Sequence, residues 1–573
     1  MVNIEVNKRK VEAKEGETLL TALRREGIHV PTLCHVDGLT PTGACRLCAV
    51  EVEGAPALVP SCSFPVSEGM KIQTHSARAL EARRTIVQLL LSNHPDDCLY
   101  CIRNGGCDLQ QLAQELGVRQ RLFSGKRSVG KLDVSSPSIV RDPDKCILCG
   151  KCVRVCEEVQ GVAAIDFARR GSQATVATAF DTGLNLSSCI NCGQCIIACP
   201  TGALAEQSHI DRVMRAIRDP EKTVVVQHAP AVSVTIAEEF GLKRGIDANG
   251  SMVTALRRLG FDRVFDTSFT ADLTIMEEAS ELVQRIQTGG VLPMLTSCSP
   301  GWIKFVEQFY PDFVPNLSTC KSPQQMLGAL AKSYWAEQEG VDPANVFSVS
   351  IMPCVAKKFE MGRPEHGHDG QADIDAVLTT RELARMIKTA GLSLEDLPAG
   401  KADSPLGERT TAGKIFGATG GVMEAAVRTA HYLITGEDLP DLKIQPLRGT
   451  QGIKEAAVEI AGIRVGVAVA SGLGNARQLI EQIRNGRQDL HFIEIMTCPG
   501  GCVAGGGQPL NTDQDMVKAR LQALYSIDRD ETVRTSHANT EVARLYEVFL
   551  GEPLSHKSHE LLHTHYTKRE VLI

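Results

Sequence analysis

The sequence predicts a multidomain protein that combines α+β and α/β domains, and three observations support this prediction. The chain has 573 residues, which is too long for a single hydrophobic core. Fifteen of its twenty cysteines lie before residue 200. The sequence after residue 208 alternates helical patterns with β-branched runs, which is typical of α/β layers. We therefore expect four domains, at residues 1–78, 79–125, 126–208 and 209–573.

The composition disfavours several classes of function. A hydrophobic share of 43% with 23% charged residues is ordinary for a globular protein. A net charge of −7 and an aromatic share of 4% disfavour a nucleic-acid-binding surface. The N-terminal residues do not resemble a signal peptide, and no apolar run is long enough to span a membrane. We expect a cytoplasmic protein whose clustered cysteines bind metal, because disulfide bonds are rare in a reducing compartment.

The first domain is predicted to hold a 2Fe–2S cluster. Alternating residues in Val2–Val6 and a run at Lys10–Ala13 predict strands, and Thr18 is a suitable N-cap for a helix that ends at Arg25. The spacing C-x10-C-x2-C-x13-C is close to that of plant-type ferredoxins, whose fold is a β-grasp. A structural zinc ion is the alternative, although the long first gap suits zinc ribbons poorly. The expected ligands are Cys34, Cys45, Cys48 and Cys62.

The second domain places one histidine and three cysteines within fourteen residues. Four possible ligands this close together predict a single metal site, preceded by a helix over Ala79–Ser92. The neighbouring cluster motifs favour a 4Fe–4S cluster, while zinc would accept the same set of three cysteines and one histidine. The expected ligands are His94, Cys98, Cys101 and Cys107.

The third domain repeats the pattern C-x2-C-x2-C-x3-C, which is typical of bacterial ferredoxins with two 4Fe–4S clusters. In that pattern the fourth cysteine of each run binds the other cluster. One cluster is expected on Cys146, Cys149, Cys152 and Cys199, and the other on Cys189, Cys192, Cys195 and Cys156. With His94, the first three domains then supply sixteen ligands for one 2Fe–2S and three 4Fe–4S clusters, which predicts a chain of electron carriers.

The fourth domain places four of its five cysteines in loops rich in glycine and proline. Strands are expected at Thr223–Gln227, Val264–Asp266, Val346–Ile351 and Val465–Ala470, and a helix at Ala271–Thr288. Cysteines occur in the segments 296–302, 352–360 and 496–502, the last of which leads into three consecutive glycines. Such loops allow the backbone to approach a bulky inorganic group.

These three segments resemble the signature loops of the iron-only (FeFe) hydrogenases, and with the four-cluster arm the resemblance covers essentially the whole chain. The N-terminal third is also similar to the cluster-bearing large subunit of respiratory complex I. The resemblance implies an α/β hydrogenase-like catalytic domain in a hetero-oligomer with flavin- and NAD(P)-binding subunits and with ferredoxin. It further implies an anaerobic, electron-bifurcating oxidoreductase.

The resemblance also implies roles for individual residues. In the family, a 4Fe–4S cluster held by four cysteines shares one thiolate with a two-iron unit. Three ligands match Cys354, Cys498 and Cys502, with Cys502 in the shared position. Cys298 matches the thiol that exchanges protons with this unit, and Lys357 matches the cation that faces a cyanide. The relay residues match Glu278, Glu281 and Ser318, and the walls of the site match Met352, Met496, Phe416, Ala229 and Pro230.

Two positions depart from the family pattern. Ser299 stands where the fourth cysteine ligand is expected, and a hydroxyl loses its proton far less readily than a thiol. His228 precedes Ala229, and a bulky ring there could crowd the two-iron unit or coordinate in its place. Cys320 is expected to be a small buried residue, with replacement of the missing ligand as the alternative.

Two functions follow from this comparison. Retention of the relay residues favours a subunit that makes or consumes H2. Loss of a metal ligand favours a hydrogenase relic that passes electrons within a flavin-based complex, holding a 4Fe–4S cluster or nothing in this domain. The sequence favours the second function, because a change at the metal outweighs retention of its surroundings.

Three further patterns are interpreted without a functional role. Residues 407–414 resemble a phosphate-binding loop, but the spacing of the glycines is wrong, so we predict a turn. Gly472 and Gly474 lack the third glycine of a dinucleotide-binding loop. The histidines near the C-terminus are predicted to lie on a docked helix at Glu560–Tyr566 rather than to form a metal cluster.

Overall fold

The computed structural model describes residues 1–124, 127, 129–367 and 370–571. These residues form two units, the first made of 1–158, 163–187 and 198–205, and the second of 159–162, 188–197 and the chain from 206 onward. The domain boundary expected between residues 125 and 126 lies outside the described residues. No helix formed by the described residues has both the length and the apolar character needed to cross a lipid bilayer.

The first unit begins with a five-stranded mixed sheet covered by a helix. The strands follow the order β2-β1-β5-β3-β4, and β1 pairs antiparallel with β2 and parallel with β5. Helix α1 begins after Thr18, whose hydroxyl accepts a hydrogen bond from the Thr21 amide. The elements are β1 (Val2–Val6), β2 (Arg9–Ala13), α1 (Leu19–Arg25), β3 (Ala49–Val52), β4 (Val59–Pro60) and β5 (Lys71–Gln73).

The rest of the first unit consists of short elements joined by the cysteine-bearing loops. Helix α2 buries Arg83, whose guanidinium donates to the backbone carbonyls of Leu47, Ala49 and Thr74 and so ties the helix to the sheet. The elements are α2 (Ala77–Asn93), α3 (Asp108–Glu115), β6 (Ile139–Arg141), α4 (Lys151–Arg154), β7 (Asp166–Ala168) and β8 (Thr175–Ala177). Helix α5 (Gln194–Ala198) and strand β9 (Leu204–Glu206) follow near the boundary between the units.

The second unit contains two four-stranded sheets. The first is parallel, in the order β11-β10-β13-β14, and the second, in the order β12-β17-β16-β15, ends in an antiparallel hairpin. The first sheet is buried, whereas the hairpin strand β15 at the edge of the second sheet is partly exposed. The strands are β10 (Thr223–His228), β11 (Arg263–Asp266), β12 (Met294–Leu295), β13 (Val346–Met352), β14 (Ala376–Thr379), β15 (Ile453–Ile460), β16 (Ile463–Ser471) and β17 (Phe492–Met496).

The helices of the second unit connect these strands. Helix α9 begins earlier than expected, since Asp266 accepts a hydrogen bond from the Ser268 amide and caps it. The helices are α6 (Ile210–Arg218), α7 (Pro230–Ser233), α8 (Asn249–Leu259), α9 (Thr267–Thr288), α10 (Pro300–Phe309), α11 (Pro323–Leu330), α12 (Ala336–Glu339), α13 (Ala356–Glu360), α14 (Thr380–Thr389), α15 (Thr411–Lys414), α16 (Gly421–Thr435), α17 (Leu473–Arg484), α18 (Gln514–Asp530), α19 (Thr540–Leu545) and α20 (His556–Leu562).

Two local predictions are corrected by the structure. The C-terminal helix α20 begins and ends four residues before the expected range, because the Ser555 hydroxyl caps it by accepting from the Ser558 amide. The segment 407–414 is not wholly a turn, since α15 forms within it. The Thr410 side chain accepts from the Ala412 amide and donates to Asp272, which fixes the start of this helix.

Candidate functional site

The four cysteines near the N-terminus lie within hydrogen-bonding reach of one another in the first unit. The Cys34 side chain is hydrogen-bonded to the side chains of Cys45 and Cys62, and the Cys48 side chain is hydrogen-bonded to that of Cys62. The Leu33 amide also donates to the Cys45 sulfur over 3.5 Å. Four sulfurs that converge in this way match the donor set of a 2Fe–2S cluster.

A second pocket in the first unit is lined by His94, Cys98, Cys101 and Cys107. The His94 side chain is buried, and its Nδ1 has no hydrogen-bond partner among the described residues. A buried ring nitrogen without a partner costs free energy, which a metal bond would recover. The donor set therefore fits either a 4Fe–4S cluster or a zinc ion, which are the two alternatives that the sequence allows.

The doubled ferredoxin motif is divided between the two units. Cys146, Cys149, Cys152 and Cys199 line one pocket in the first unit. Cys156 also belongs to the first unit, whereas Cys189, Cys192 and Cys195 belong to the second. The ligand set expected for the other 4Fe–4S cluster therefore stays a prediction.

The candidate site of the second unit is a cavity of about 90 Å³. It lies where parallel strands end, because β10 leads into Ala229, β13 into Pro353 and β17 into Thr497. Ligand sites in α/β folds favour this edge of the sheet. Its expected walls Ala229, Pro230, Met352, Phe416 and Met496 all line the cavity.

Four thiols line this cavity, of which Cys354, Cys498 and Cys502 are the expected metal ligands and Cys298 is the fourth. Burial raises the pKa of each, and for Cys502 it does so to about 12. Buried thiolates need a metal or another positive charge to compensate them. Gly501, at φ +90°, lets the Cys502 loop pass the Thr419 amide, which a Cβ atom would approach to 2.6 Å. The donors and the close backbone approach fit a bulky iron–sulfur group.

Ser299 lines the same cavity beside the thiols. Its Oγ lies 2.8 Å from the Thr497 Oγ1 and accepts a hydrogen bond of 3.3 Å from the Thr497 amide. Thr497, the residue before Cys498, therefore holds the hydroxyl of Ser299 at the cavity.

The structure places the other two suspected ligands away from the cavity. His228 is buried, but it does not line the cavity, and its ring nitrogens have no partner among the described residues. Cys320 packs in a separate hydrophobic cluster, and its thiol donates over 4.0 Å to Glu281. Neither residue replaces the missing cysteine in this structure.

Lys357 is held at the cavity by two neighbours. Its ammonium donates to the Cys298 carbonyl over 3.1 Å and to the Glu360 carboxylate over 2.9 Å and 3.0 Å. Gln324, which also lines the cavity, donates to Glu360 over 3.0 Å. The sequence did not predict a role for Glu360 or Gln324. The signal for Glu360 was its position three residues after Lys357 on a short helix.

A row of buried polar side chains runs from the cavity along α9. Cys298 lines the cavity. Burial raises the pKa of the Cys298 thiol, and the nearby charge of Glu278 raises it further. A hydrogen bond joins Ser318 to Glu278, and the Ser318 hydroxyl donates to Glu281 over 3.0 Å. Glu281 forms an ion pair of 2.6 Å with the half-buried Arg285. The expected relay residues thus lie in a row between the cavity and Arg285.

The Glu278 carboxyl is suited to exchange protons near neutral pH. Burial, followed by the charge of Glu281, raises its pKa to about 8. In the H2 chemistry that the resemblance implies, proton delivery needs the protonated form, so the rate of H2 evolution at a constant driving force should fall about tenfold for each pH unit well above 8. Film voltammetry at fixed overpotential would measure this pH dependence. The rate at which the iron–sulfur clusters oxidise a reduced dye, measured over the same pH range, would be the control for effects of pH on electron transfer. A flat profile between pH 7 and 9.5 would contradict the assignment.

The segment that carries Cys192 packs against the loop that carries Cys502. The Gln194 amide nitrogen donates to the Ala504 carbonyl over 2.9 Å, and Gly506 leaves no room for a Cβ atom beside the Cys192 carbonyl. An iron–sulfur centre on this segment would therefore lie next to the cavity.

Family models match most of the chain. Residues 222–506 match the iron only hydrogenase large subunit, C-terminal domain, and residues 514–569 the iron hydrogenase small subunit. Residues 1–77 match a 2Fe-2S iron-sulfur cluster binding domain, and residues 145–203 a 4Fe-4S dicluster domain. Residues 83–121 match the NADH-ubiquinone oxidoreductase-G iron-sulfur binding region.

Two curated proteins are similar over essentially their whole length. The NADP-reducing hydrogenase subunit HndD of Solidesulfovibrio fructosivorans is 47% identical, covering 100% of both chains. Iron hydrogenase 1 of Clostridium pasteurianum is 41% identical, covering 99% of this chain and 100% of its own. Among solved structures, the apo [FeFe]-hydrogenase HydA1 from Chlamydomonas reinhardtii has a TM-score of 0.57 and 44% identity, covering 63% of this chain and 99% of its own.

Proposed function

Because the chain belongs to the iron-only hydrogenase family, we propose that it interconverts H2 with protons and electrons and exchanges the electrons with NADP(H) through partner subunits. The supporting observation is the buried path from Glu281 through Ser318 and Glu278 to Cys298 at the cavity. A domain that only passes electrons has no use for such a path. The similarity to an NADP-reducing hydrogenase subunit supports the link to NADP.

The cavity residues fit the family's cofactor. Cys354, Cys498 and Cys502 would hold its 4Fe–4S part, with Ser299 in the fourth position. When bound, the attached two-iron unit supplies the redox centre at which H2 is formed or split. The chain itself positions Lys357 as a fixed cation, excludes water with apolar walls, and carries protons through Cys298 and Glu278.

We propose that the N-terminal arm carries electrons through one 2Fe–2S and three 4Fe–4S clusters on the residues predicted above. The arm would comprise the domains 1–78, with a β-grasp fold suggested by its mixed sheet and single helix, 79–125 and 126–208, leaving 209–573 as the catalytic domain. Flavin- and NAD(P)-binding subunits and ferredoxin would be the partners in a cytoplasmic, electron-bifurcating complex. The match to a complex I iron–sulfur region supports such partners.

A second function is electron transfer without H2 chemistry. The observation in its favour is Ser299, because a serine oxygen is a harder and weaker ligand for iron than a thiolate. In this case the cavity would hold a 4Fe–4S cluster alone or no cluster.

Infrared spectroscopy and an H2 assay on Ser299 variants separate the two functions. We expect the protein, produced anaerobically with the family's maturation enzymes, to show CO and cyanide bands and to evolve H2 from reduced viologen. Ser299→Cys should keep the infrared bands and the H2 evolution. It should also raise the reduction potential of the cavity cluster, because a thiolate replaces a harder ligand. Ser299→Ala is the matched control and should retain the least cavity iron.

The outcomes differ between the two functions. Bands and activity that appear only in Ser299→Cys would establish the second function for the natural protein. Blank spectra for both proteins, with the N-terminal clusters filled, would overturn the proposed H2 chemistry.

A further inference from the structure

We propose that Glu281, Cys320 and His563 form a binding site for a thiophilic divalent cation such as Zn²⁺. One carboxylate oxygen, one sulfur and one imidazole nitrogen from these residues lie within 4.8 Å of one another, and all three residues are buried. Zinc accepts this mixture of donors and binds them at roughly 2.0–2.3 Å. A movement of each side chain by about 1 Å or less would bring the donors to that range.

The backbone holds the three residues side by side. Cys320 and His563 form an antiparallel bridge, in which the Lys321 amide donates to Leu562 over 2.7 Å and the Thr564 amide to Thr319 over 2.8 Å. Glu281 projects from α9 and accepts from the Thr319 amide over 3.1 Å. The donors are therefore fixed by segments that are distant in the sequence, so little ordering remains to oppose binding.

The surroundings of His563 suit a metal-bound histidine. Its Nε2 lies 3.1 Å from the Glu277 carboxylate, and its Nδ1 lies 2.8 Å from the Thr319 hydroxyl. A metal on Nδ1 would displace only the hydroxyl contact. The Glu277 carboxylate would then accept from Nε2–H, which is the usual way in which proteins orient a metal-bound imidazole.

The charges of the bound state balance. Binding forms bonds from the cation to sulfur, nitrogen and oxygen, and the Cys320 thiol releases one proton to the solvent. The thiolate and the Glu281 carboxylate then neutralise the two positive charges, and no electron is transferred. Arg285, now paired with Glu281 at 2.6 Å and half-buried, would turn outward and open the path for entry.

The consequence for activity rests on the proposed function, while the binding itself does not. A cation on Glu281 occupies the carboxylate that accepts from Ser318, so it interrupts the proton path at its outer end. H2 turnover should then be inhibited by zinc without any change in the iron–sulfur clusters.

Zinc binding can be measured on the complete, cluster-loaded protein with zinc sulfate alone. Zinc K-edge absorption spectroscopy is specific for the added metal, and we expect one sulfur with the remaining donors nitrogen or oxygen. Cys320→Ala should lose the sulfur donor and weaken binding at least about 10- to 100-fold, and His563→Gln should weaken it similarly. The matched control is His559→Gln, which alters the exposed ring 4.2 Å from His563 but none of the three donors.

The outcomes separate the site from its consequence. Zinc bound with the same affinity and the same donors in Cys320→Ala as in the natural protein would overturn the site, and unchanged cluster spectra would show that this variant is folded. Zinc bound as expected, with undiminished H2 turnover, would establish the site and overturn the role proposed for Glu281.

Discussion

Cys298→Ala is expected to lower H2 turnover by about 10²- to 10⁴-fold, which is the usual contribution of a positioned proton-transfer group. The residue lines the cavity and lies close to Glu278, so it is the only relay residue placed at both the cavity and the path among those described. Alanine removes the exchangeable proton and leaves the three cavity thiols in place. Turnover with viologen, iron content and infrared bands should be measured together.

Cys298→Ser provides the matched control, because it keeps an exchangeable proton on a side chain of similar size. Its hydroxyl holds that proton more tightly than a thiol, so its turnover should lie between those of the natural protein and Cys298→Ala. Infrared bands should persist in both variants. Turnover within about twofold of the natural rate in Cys298→Ala would exclude Cys298 from the proton path.

Cys498→Ala is expected to abolish H2 turnover and to remove roughly six iron atoms per chain, because a 4Fe–4S cluster that already has one weak ligand would lose another and the attached two-iron unit would be lost with it. Cys498 is buried in the cavity wall, next to Thr497, which holds the Ser299 hydroxyl. Electron paramagnetic resonance and iron analysis would measure the loss.

Cys320→Ala is the control for iron content, because it removes a buried thiol that does not line the cavity. It should retain all of its iron. Equal iron in Cys498→Ala and the natural protein would show that Cys498 binds no cluster.

The sequence predicted the strands that position the cavity, because their β-branched runs are long and buried. The run at Thr223–Gln227 extends by one residue in the structure, and Val346–Ile351 does the same. The spacing of the cysteines was equally informative, since ligands of one centre must be close. The shift of helix α20 was harder to predict, because the capping hydroxyl of Ser555 decides where it begins.

Interactions between distant segments could not be predicted. Glu281, Cys320 and His563 come from three separate segments, and only the bridge between Cys320 and His563 brings the latter two together. The position of His228 also depends on packing, since a residue adjacent to Ala229 does not itself line the cavity. Periodicity indicates which face of a strand is buried, but not which cavity the face meets.

The close fit between Gly506 and the Cys192 carbonyl affects how the protein can be divided. Gly193 similarly leaves no room for a Cβ atom beside Val355, so the segment 188–197 fills a space on the catalytic unit itself. A shortened polypeptide that starts at residue 209 would lose this filling and uncover the glycine-rich loop around Cys502. Engineers who want a minimal hydrogen catalyst from this chain should therefore keep residues 188–197 or redesign the exposed surface.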